Sequence, residues 1–250
     1  MTARDDLVAR LLAARNGGPL VDPATEAAGP ETLADAYALQ AGVIAALGPV
    51  GGWKVGRAPG QPAVFAPIPA AAIRPSPALW PRAESRLRGV ELEIGFRIDA
   101  VLPPADATDF AARLAEAVTP LPVFEILDSR LTDPQGASAL WKLADMQIDA
   151  GLVCGAPFTG TWTREDFDRP SAQLTADGAI VVEGPATMPG GNPFDLLAEL
   201  VRSCGEHCGG LQRGQIITTG SFTGMRFFAA GTTVTGCIAG WPVIGVTFVA

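Results

Sequence analysis

The stretch Val90–Ile98, with the sequence VELEIGFRI, alternates between apolar side chains and two carboxylates. Alternation with a period of two is typical of a β-strand, in which successive side chains point to opposite faces of the sheet. Glu91 and Glu93 would then share one face. The other face would carry the apolar side chains Leu92, Ile94 and Phe96. If the face of the glutamates is enclosed, the two ionised carboxylates need a compensating positive charge, which a divalent cation can supply.

A third glutamate, Glu125, interrupts a second apolar run, Pro122–Leu127 (PVFEIL). Two interpretations of these acidic residues remain open. Antiparallel sheets commonly expose one face to water, so an ExE pattern alone is also explained by a solvated strand face. If the face is instead closed around a cation, an all-carboxylate site favours hard ions such as Mg²⁺ or Mn²⁺ over zinc.

Composition limits the classes of partner. The chain has 250 residues, 48% of them hydrophobic and only 18% charged, so it can bury a large core and has a surface lean in charge. Such a surface predicts a homo-oligomer. The net charge of −8 and the lack of clustered Lys and Arg argue against nucleic acid and anionic membranes as partners. A small anionic substrate would need local cations.

The beginning of the chain, Met1–Asp6, carries acidic residues and leads into a helical pattern, so no signal peptide is predicted. No apolar stretch approaches the length of a membrane span. We therefore expect a cytoplasmic protein with reduced thiols. The four cysteines lack paired CxxC spacing and are predicted to be core thiols: Cys154, Cys204, Cys208 and Cys237.

The chain divides into a predicted helical N-terminal lobe, residues 1–50, and a mixed-β catalytic domain, residues 51–250. Helices are predicted over residues 4–15 and 32–47, the second capped by Thr32 and Asp35. Two more are predicted near residues 107–118 and from a cap at Asn192 to about Cys208. Asp177-Gly178 predicts a hairpin turn, and three strands are predicted in the segments 215–220, 232–235 and 243–248.

Several common chemistries lack their motifs. His207 is the only histidine and lies at the end of an amphipathic helical pattern, which disfavours Ser-His-Asp and Cys-His catalysis. Cys204, His207 and Cys208 fall short of the four ligands of a structural zinc site. Neither a G-x-G-x-x-G turn nor a Walker loop is present, so nucleotide cofactors lack support.

Two lysines are candidates for proton transfer. Lys54 stands in GGWKVG (51–56), where burial would lower its pKa toward the range useful for proton transfer. A surface lysine with a snorkelling side chain explains the same pattern. Lys142 is the second candidate, and an ion pair with Asp145 is its structural alternative. The turn TTGSFTG (218–224) offers hydroxyl and N–H donors that could hold a carboxylate.

Taken in order, six segments resemble the 2-keto-4-pentenoate hydratase branch of the fumarylacetoacetate hydrolase superfamily. The resemblance runs from about residue 32 to the C-terminus, and its specific part is the ExE pair followed by a glutamate in an E-I-x-D-S-R segment. The segments are Gly52–Gly56, Val90–Ile94, Phe124–Arg130, Ala144-Asp145, Gly191–Pro193 and Thr218–Ser221.

The resemblance implies an α+β fold with a mixed β-sandwich or β-roll core and a helical N-terminal lobe, assembled into homo-oligomers. It implies a Mg²⁺ or Mn²⁺ ion held by Glu91, Glu93 and Glu125, which stabilises a developing enolate of a small 2-oxo or 2-hydroxydienoic acid. The implied activity is hydration of 2-hydroxypenta-2,4-dienoate-like acids in the catabolism of aromatic compounds. Alternatives are a 4-oxalocrotonate-type decarboxylase, an acylpyruvate C–C hydrolase, and a non-catalytic oligomeric subunit or metabolite-binding paralogue.

Site roles carried over from the resemblance complete the prediction. The catalytic group is Lys54, with Lys142 as the other proton-transfer candidate and Asp145 as a polar member of the site. The substrate-binding residues are Gly220, Ser221, Phe65 and Gln147. The last two lie in segments 57–67 and 146–149, which depart from the pattern of the hydratases and are expected to touch the pocket. Arg57 or Arg130 could bind a second carboxylate, although Arg130 could equally form a structural ion pair.

Overall fold

The computed structural model describes residues 2–249. Its α-helices are α1 (Ala3–Arg15), α2 (Leu33–Leu47), α3 (Phe110–Ala117), α4 (Ala139–Ala144) and α5 (Pro193–Ser203). Its strands are β1 (Val50–Gly56), β2 (Val64–Pro69), β3 (Ile73–Pro75), β4 (Ala78–Trp80), β5 (Gly89–Ile98), β6 (Val118–Leu127), β7 (Asp149–Cys154), β8 (Ser171–Ala176), β9 (Ala179–Pro185), β10 (Ile216–Ser221), β11 (Arg226–Phe227), β12 (Thr233–Ile238) and β13 (Ile244–Phe248). Short 3-10 turns lie at Ala70–Ala72, Arg82–Glu84, Arg164–Phe167 and His207–Gly209.

The larger sheet has eight strands in the order β2-β1-β10-β5-β6-β7-β3, with β11 also paired to β5. Strands β1 and β10 run parallel, as do β3 and β7, and the central pairs are antiparallel. The predicted strand, β5, and the strand that carries the second apolar run, β6, lie next to each other at its centre. The acidic face of β5 therefore falls in the middle of the sheet rather than at an edge.

The smaller sheet, in the order β4-β13-β12-β8-β9, packs on the apolar face of the larger one. Leu92 and Phe96 are fully buried there, and burying side chains of this size contributes about 1.5–3 kcal/mol each. At Gly236 on β12 the sheets approach so closely that an added Cβ would lie 2.8 Å from the ring of Phe124. The predicted α+β fold with a mixed β-sandwich core is confirmed.

The two N-terminal helices begin as the sequence predicts. Thr2 and Thr32 each form a capping box, with Asp5 and Asp35 respectively, and the first helix ends at Arg15 and the second at Leu47. Apolar side chains of α1 and α2 share a core with β2 and α4. The division of the chain at residue 50 stays a prediction.

Other predicted elements need correction. Asn192 caps α5 as predicted, but the helix ends at Ser203 rather than near Cys208, because Gly205 and Cys208 adopt positive φ angles of 52° and 49°. The third helix starts at Phe110, later than the predicted residue 107. The short helix α4 is not predicted.

The predicted hairpin turn is present between β8 and β9, where Asp177 and Gly178 both have positive φ angles, 49° and 82°. The three predicted C-terminal strands are β10, β12 and β13. All four cysteines are free thiols, but only Cys204 is fully buried, so the prediction of core thiols holds for that residue alone. None of the helices among residues 2–249 combines the length and apolar character needed to cross a bilayer.

Candidate active site

Adjacent strands bring the three glutamates together. Glu91 on β5 is the direct cross-strand neighbour of Glu125 on β6, and Glu93 follows two residues along the same face of β5. One carboxylate oxygen from each of the three lies within 4.8 Å of the others. Two glutamates separated by one residue and a third from the neighbouring strand therefore converge on one point, and their role as metal ligands stays a prediction.

This acidic face is enclosed rather than solvated. Glu93 and Glu125 have no exposed surface, and Glu91 is partly exposed. Antiparallel strands that place like charges directly opposite each other are destabilised, and the repulsion is stronger away from water. The interpretation as a water-facing strand is wrong for Glu93 and Glu125.

Each of the two buried carboxylates has one oxygen bonded and one free. Glu93 Oε2 accepts from the Thr218 hydroxyl and, at 2.8 Å, from the Gly220 N–H. Glu125 Oε1 accepts from Lys54 Nζ at 2.5 Å. Within residues 2–249, neither Glu93 Oε1 nor Glu125 Oε2 has a hydrogen-bond partner. Buried polar atoms normally have a partner, so the lack of one leaves both oxygens available to a further group at the site.

Burial also changes how these groups hold protons. Burial and, next, the charge of Glu91 raise the pKa of Glu93 to about 7, against the opposing effects of Lys54 and Thr218. Burial raises the pKa of Glu125 well above its ordinary value, although Lys54 opposes this shift. Strongly perturbed carboxylates in a confined cluster are typical of functional sites.

Lys54 on β1 reaches this cluster from three strands away. Three strand spacings of about 4.8 Å span about 14 Å in a flat sheet, so the sheet must curl to bring Lys54 against Glu125 on its concave face. Lys54 Nζ donates to Glu125 and, at 3.1 Å, to the carbonyl of Gln147. Burial lowers the pKa of Lys54, but the surrounding carboxylates outweigh burial and raise it above its ordinary value. The expectation that burial lowers the pKa of Lys54 is therefore wrong, because the carboxylates outweigh burial.

A cavity of about 560 Å³ opens beside the carboxylates. It is lined by Glu91, by the predicted substrate residues Gly220 and Ser221, and by two arginines, Arg57 and Arg226. A volume of this size suits a small organic ligand. The predicted turn and Glu91 of the carboxylate cluster thus border one space, with positive charge at its wall.

The two arginines differ in how they are held. Arg57 pairs with Glu199 and donates to the carbonyl of Gly190 at 3.1 Å. Arg226 donates to the carbonyl of Thr223 at 3.2 Å. In the part of the chain that the structure describes, no carboxylate lies within 4.0 Å of the Arg226 guanidinium. Arg226 is therefore the cation better placed to meet an anionic ligand.

Other predicted site residues lie outside the cluster. Asp145 is buried and accepts from Arg130 Nε and, at 2.7 Å, from the Ser129 hydroxyl. Arg130 is thus the partner of Asp145, and the suggested Lys142–Asp145 pair is wrong. Lys142 donates to the Gln135 carbonyl at 3.0 Å on an exposed stretch.

Of the remaining two predicted substrate residues, Phe65 lies in the core and Gln147 contacts the site. The ring of Phe65 stacks on Tyr37 with centroids 4.8 Å apart and belongs to the core rather than to the wall of the cavity. Gln147 contributes its backbone carbonyl to Lys54, whereas its side-chain amide lies 3.5 Å from the Val64 carbonyl. Its contact with the site is therefore made by the main chain.

Sequence reasoning missed Arg226 in the cavity wall. It placed Thr218 in the donor turn and Asp149 in a segment expected to touch the pocket, but it identified neither Thr218 as a partner of Glu93 nor Asp149 as a buried acid. Asp149 is 1% exposed, its Oδ2 has no partner among residues 2–249, and burial raises its pKa to about 6. An isolated acid in an apolar context, as at Glu125, was the signal that could have found Asp149. Arg226 gives no such signal.

The sequence matches no protein-family model and no curated protein. Solved structures are similar in fold to this chain over most of its length. One is a 4-oxalocrotonate decarboxylase from Pseudomonas putida G7, complexed with magnesium and adipate, which is 19% identical in sequence and superposes with a TM-score of 0.80. The match includes 98% of this chain and 97% of the decarboxylase chain.

Two further structures match with lower scores. A fumarylpyruvate hydrolase from Pseudomonas aeruginosa, in complex with Mn²⁺ and pyruvate, has a TM-score of 0.54 at 18% identity, with 79% of this chain covering 88% of it. A protein from Yersinia pestis CO92 described as a fumarylacetoacetate hydrolase family member has a TM-score of 0.55 at 14% identity, with 81% of this chain covering 93% of it. The chain therefore has the fumarylacetoacetate hydrolase fold that its motifs predict.

Proposed function

We propose that this chain is a divalent-metal-dependent enzyme acting on small unsaturated 2-oxo acids. The observation that carries the proposal is the convergence of Glu91, Glu93 and Glu125 within 4.8 Å, with two buried carboxylate oxygens that have no hydrogen-bond partner among residues 2–249. A non-catalytic paralogue explains this arrangement less well, because an unused cluster of buried like charges only destabilises the fold.

The residues present fit a hard divalent ion. All candidate ligand atoms are carboxylate oxygens, and no nitrogen or sulfur ligand belongs to the group, which favours Mg²⁺ or Mn²⁺. The solved structures of similar fold contain magnesium, calcium or Mn²⁺. When bound, such an ion supplies Lewis-acid polarisation of the 2-oxo group and stabilises negative charge that develops on its oxygen.

Lys54 is the proposed proton-transfer group. Two of its three N–H donors go to Glu125 and to the Gln147 carbonyl, so one remains for a ligand. The surrounding carboxylates raise the pKa of Lys54 above its ordinary value, so Lys54 can act as the acid that donates a proton to a carbon atom of the substrate. Lys142, which is bonded elsewhere on an exposed stretch, is a weaker candidate for this role.

The proposed substrate carboxylate lies at Gly220 and Ser221. The Gly220 N–H already donates to Glu93, and its φ of 95° suits a glycine at this turn. The Ser221 hydroxyl accepts from Thr223 N–H at 3.2 Å, and its own proton can be donated to the Thr223 hydroxyl, 3.5 Å away, or to a ligand. The turn thereby orients Glu93 from one side and offers a hydroxyl donor to an anion from the other.

We favour decarboxylation of an unsaturated 2-oxo diacid as the reaction. The full-length similarity in fold to a 4-oxalocrotonate decarboxylase supports this choice, and Arg226 in the cavity wall offers a cation for a second carboxylate. Arg130 is unsuited to that role, because it is buried and each of its three nitrogens already donates to Asp145 or Asp149. In the reaction the C–C bond to the departing carboxylate breaks and CO₂ leaves. The electron pair of the broken bond passes into the conjugated 2-oxo system. Lys54 then donates a proton to a carbon atom of that system.

Hydration of a 2-hydroxydienoic acid is the second candidate, favoured by the order of motifs from Gly52–Gly56 to Thr218–Ser221. Both reactions use the same stabilised enolate, and they differ in whether carbon dioxide is lost or water is added. Cleavage of an acylpyruvate is a third outcome of the same chemistry. A homo-oligomeric assembly and a cytoplasmic location complete the proposal as predictions from the sequence.

The test supplies Mg²⁺ or Mn²⁺ and assays unsaturated 2-oxo diacids for CO₂ release, 2-hydroxydienoic acids for hydration, and acylpyruvates for acid products. We expect metal-dependent CO₂ release that chelation abolishes. Metal-dependent hydration without CO₂ release would select the second candidate. Binding of Mg²⁺ and oxalate without turnover of any of these acids would favour the non-catalytic alternative.

A further inference from the structure

The turn Met146–Ile148, which contacts Lys54, has left-handed backbone angles. Met146, Gln147 and Ile148 have φ angles of 53°, 54° and 60°, although none of them is glycine. The left-handed region costs an L-residue roughly 1–2 kcal/mol, and a β-branched residue such as Ile148 is an outlier there. Three such residues in succession persist only where the surrounding structure holds them.

The guanidinium of Arg130 holds both ends of this turn. Its Nη2 donates to the Asp145 carbonyl at 2.6 Å, just before the turn, and its Nη1 donates to the Asp149 carbonyl at 2.8 Å, just after it. Its Nε donates to the Asp145 side chain. Arg130 is 3% exposed, so these bonds are made away from water. A planar group with several donors spans both carbonyls, which a lysine ammonium cannot reproduce.

The turn contacts Lys54 through one atom, the Gln147 carbonyl oxygen. Its ends are fixed by Ile148 N–H, which donates to Asp145 O at 3.0 Å, and by Ile148 O, which accepts from Asp128 N–H at 2.9 Å. Between them the Gln147 carbonyl accepts from Lys54 Nζ at 3.1 Å. The left-handed conformation is therefore what directs this carbonyl to the ammonium.

We propose that Arg130 is a positioning residue: it clamps the Met146–Ile148 turn so that the Gln147 carbonyl fixes Lys54 beside Glu125. The consequence for turnover rests on the proposed function, whereas the consequence for the position of Lys54 does not. A purely structural Arg130 would stabilise the chain without controlling where the lysine nitrogen lies.

The first test compares crystal structures of the unmodified chain and Arg130→Lys. We expect the turn to relax toward negative φ and the contact from Lys54 Nζ to the Gln147 carbonyl to be lost. An unchanged turn with the contact retained would overturn the proposal. This readout requires no turnover, so it separates failure of the positioning role from failure of the proposed function.

The second test reaches the turn without altering the buried ion pair. Gln147→Pro forces a negative φ at the centre of the turn while leaving Arg130 and Asp145 in place. We expect loss of the Lys54 contact and a fall in kcat of about tenfold to hundredfold, as misplacement by about 1 Å can cause. The Mn²⁺ affinity, measured by electron paramagnetic resonance, should stay within about threefold because the carboxylates are untouched. Full kcat in this variant would overturn the proposal.

Rescue provides the third test. Ile148→Gly removes the steric cost of the left-handed conformation. Added to Arg130→Lys, it should restore part of the lost kcat and the contact to Lys54, although it adds no group to the ion-pair network. If kcat, melting temperature and Mn²⁺ affinity instead fall together in Arg130→Lys and none recovers in the double variant, Arg130 is structural only. Should Arg130→Lys fail to fold, the Gln147→Pro result decides.

Discussion

Glu91 and Glu125 face each other directly across the antiparallel strands β5 and β6, and Glu93 completes a group of three carboxylates. Lys54 is the one cation bonded to this group within residues 2–249. One ammonium leaves the cluster with excess negative charge in a buried place, which a divalent ion would neutralise. The proposed metal dependence rests on this imbalance of charge.

Removing one carboxylate should therefore remove the metal. Glu93→Gln keeps the size of the side chain but loses its charge, and we expect Mn²⁺ affinity to fall by more than about 100-fold, since altering groups that merely support ligands costs about 10–100-fold. Turnover should fall with it. Isothermal titration calorimetry measures the affinity, and Glu116→Gln on the exposed side of α3 is the matched control. Unchanged affinity in Glu93→Gln would remove Glu93 from the ligand set.

The free energy of unfolding of the metal-free chain should decrease as pH rises toward neutrality. The pKa of Glu93 rises from 4.5 to about 7 on folding, chiefly through burial, so the folded chain holds a proton that the unfolded chain releases in this interval. Glu125 and Asp149 shift the same way. The stabilisation is thus present below the unfolded pKa and is lost as pH rises toward 7.

Thermal melts of the chelated chain at several pH values measure this effect. From Glu93 alone we expect a loss of roughly 3 kcal/mol in unfolding free energy as pH rises through this interval, at about 1.4 kcal/mol per pKa unit. Added Mn²⁺ should restore stability near pH 8 and have little effect near pH 5, because binding requires the ionised carboxylates. Stability that rises steadily with pH in the chelated chain would contradict the buried, proton-holding cluster.

Lys54 and Lys142 should differ sharply in their effect on turnover. Lys54→Met removes the proposed proton donor, and we expect kcat to fall by about 10²–10⁴-fold, the range of general acid–base catalysis. Lys142→Met removes only a half-buried lysine bonded to the Gln135 carbonyl, so kcat should change little. Steady-state kinetics on one substrate and Mn²⁺ titration distinguish the two variants. The opposite ranking would make Lys142 the proton-transfer group.

Arg226 should determine whether a second carboxylate is recognised. Arg226→Gln removes a cation from the cavity wall, and a lost charged hydrogen bond of about 1.5–3 kcal/mol predicts a rise in KM of about tenfold to hundredfold for a diacid. Inhibition by pyruvate, which has one carboxylate, should be unaffected. Arg169→Gln, which replaces another exposed arginine, serves as the control. Equal effects on the diacid and on pyruvate would place Arg226 outside the distal end of the pocket.

The sequence predicts the three glutamates of the site better than it predicts the residues that surround them. Glu91, Glu93 and Glu125 stand out because each interrupts an apolar run, and the period of two places the first pair on one face. The capping box at Thr32 and the Asp177-Gly178 turn, both predicted, depend on neighbouring residues only. Local patterns of this kind specify local structure.

Long-range partners could not be derived in the same way. Arg130 and Lys142 are both basic residues near Asp145 in the sequence, and only the path of the chain decides that Arg130 is its partner. The left-handed turn that begins at Met146 contains no glycine from which it could be predicted. The end of α5 at Ser203 likewise depends on backbone angles that the apolar spacing alone did not reveal.

The most direct test of the central claim is a crystal structure of the unmodified chain grown with saturating Mn²⁺ and collected for anomalous scattering. The account predicts one strong anomalous peak per chain, coordinated by oxygens of Glu91, Glu93 and Glu125 at about 2.0–2.3 Å. Lys54 should lie within hydrogen-bonding distance of Glu125 or of a ligand at the ion. Absence of a peak at the three carboxylates, or carboxylates that point away from one another, would contradict it.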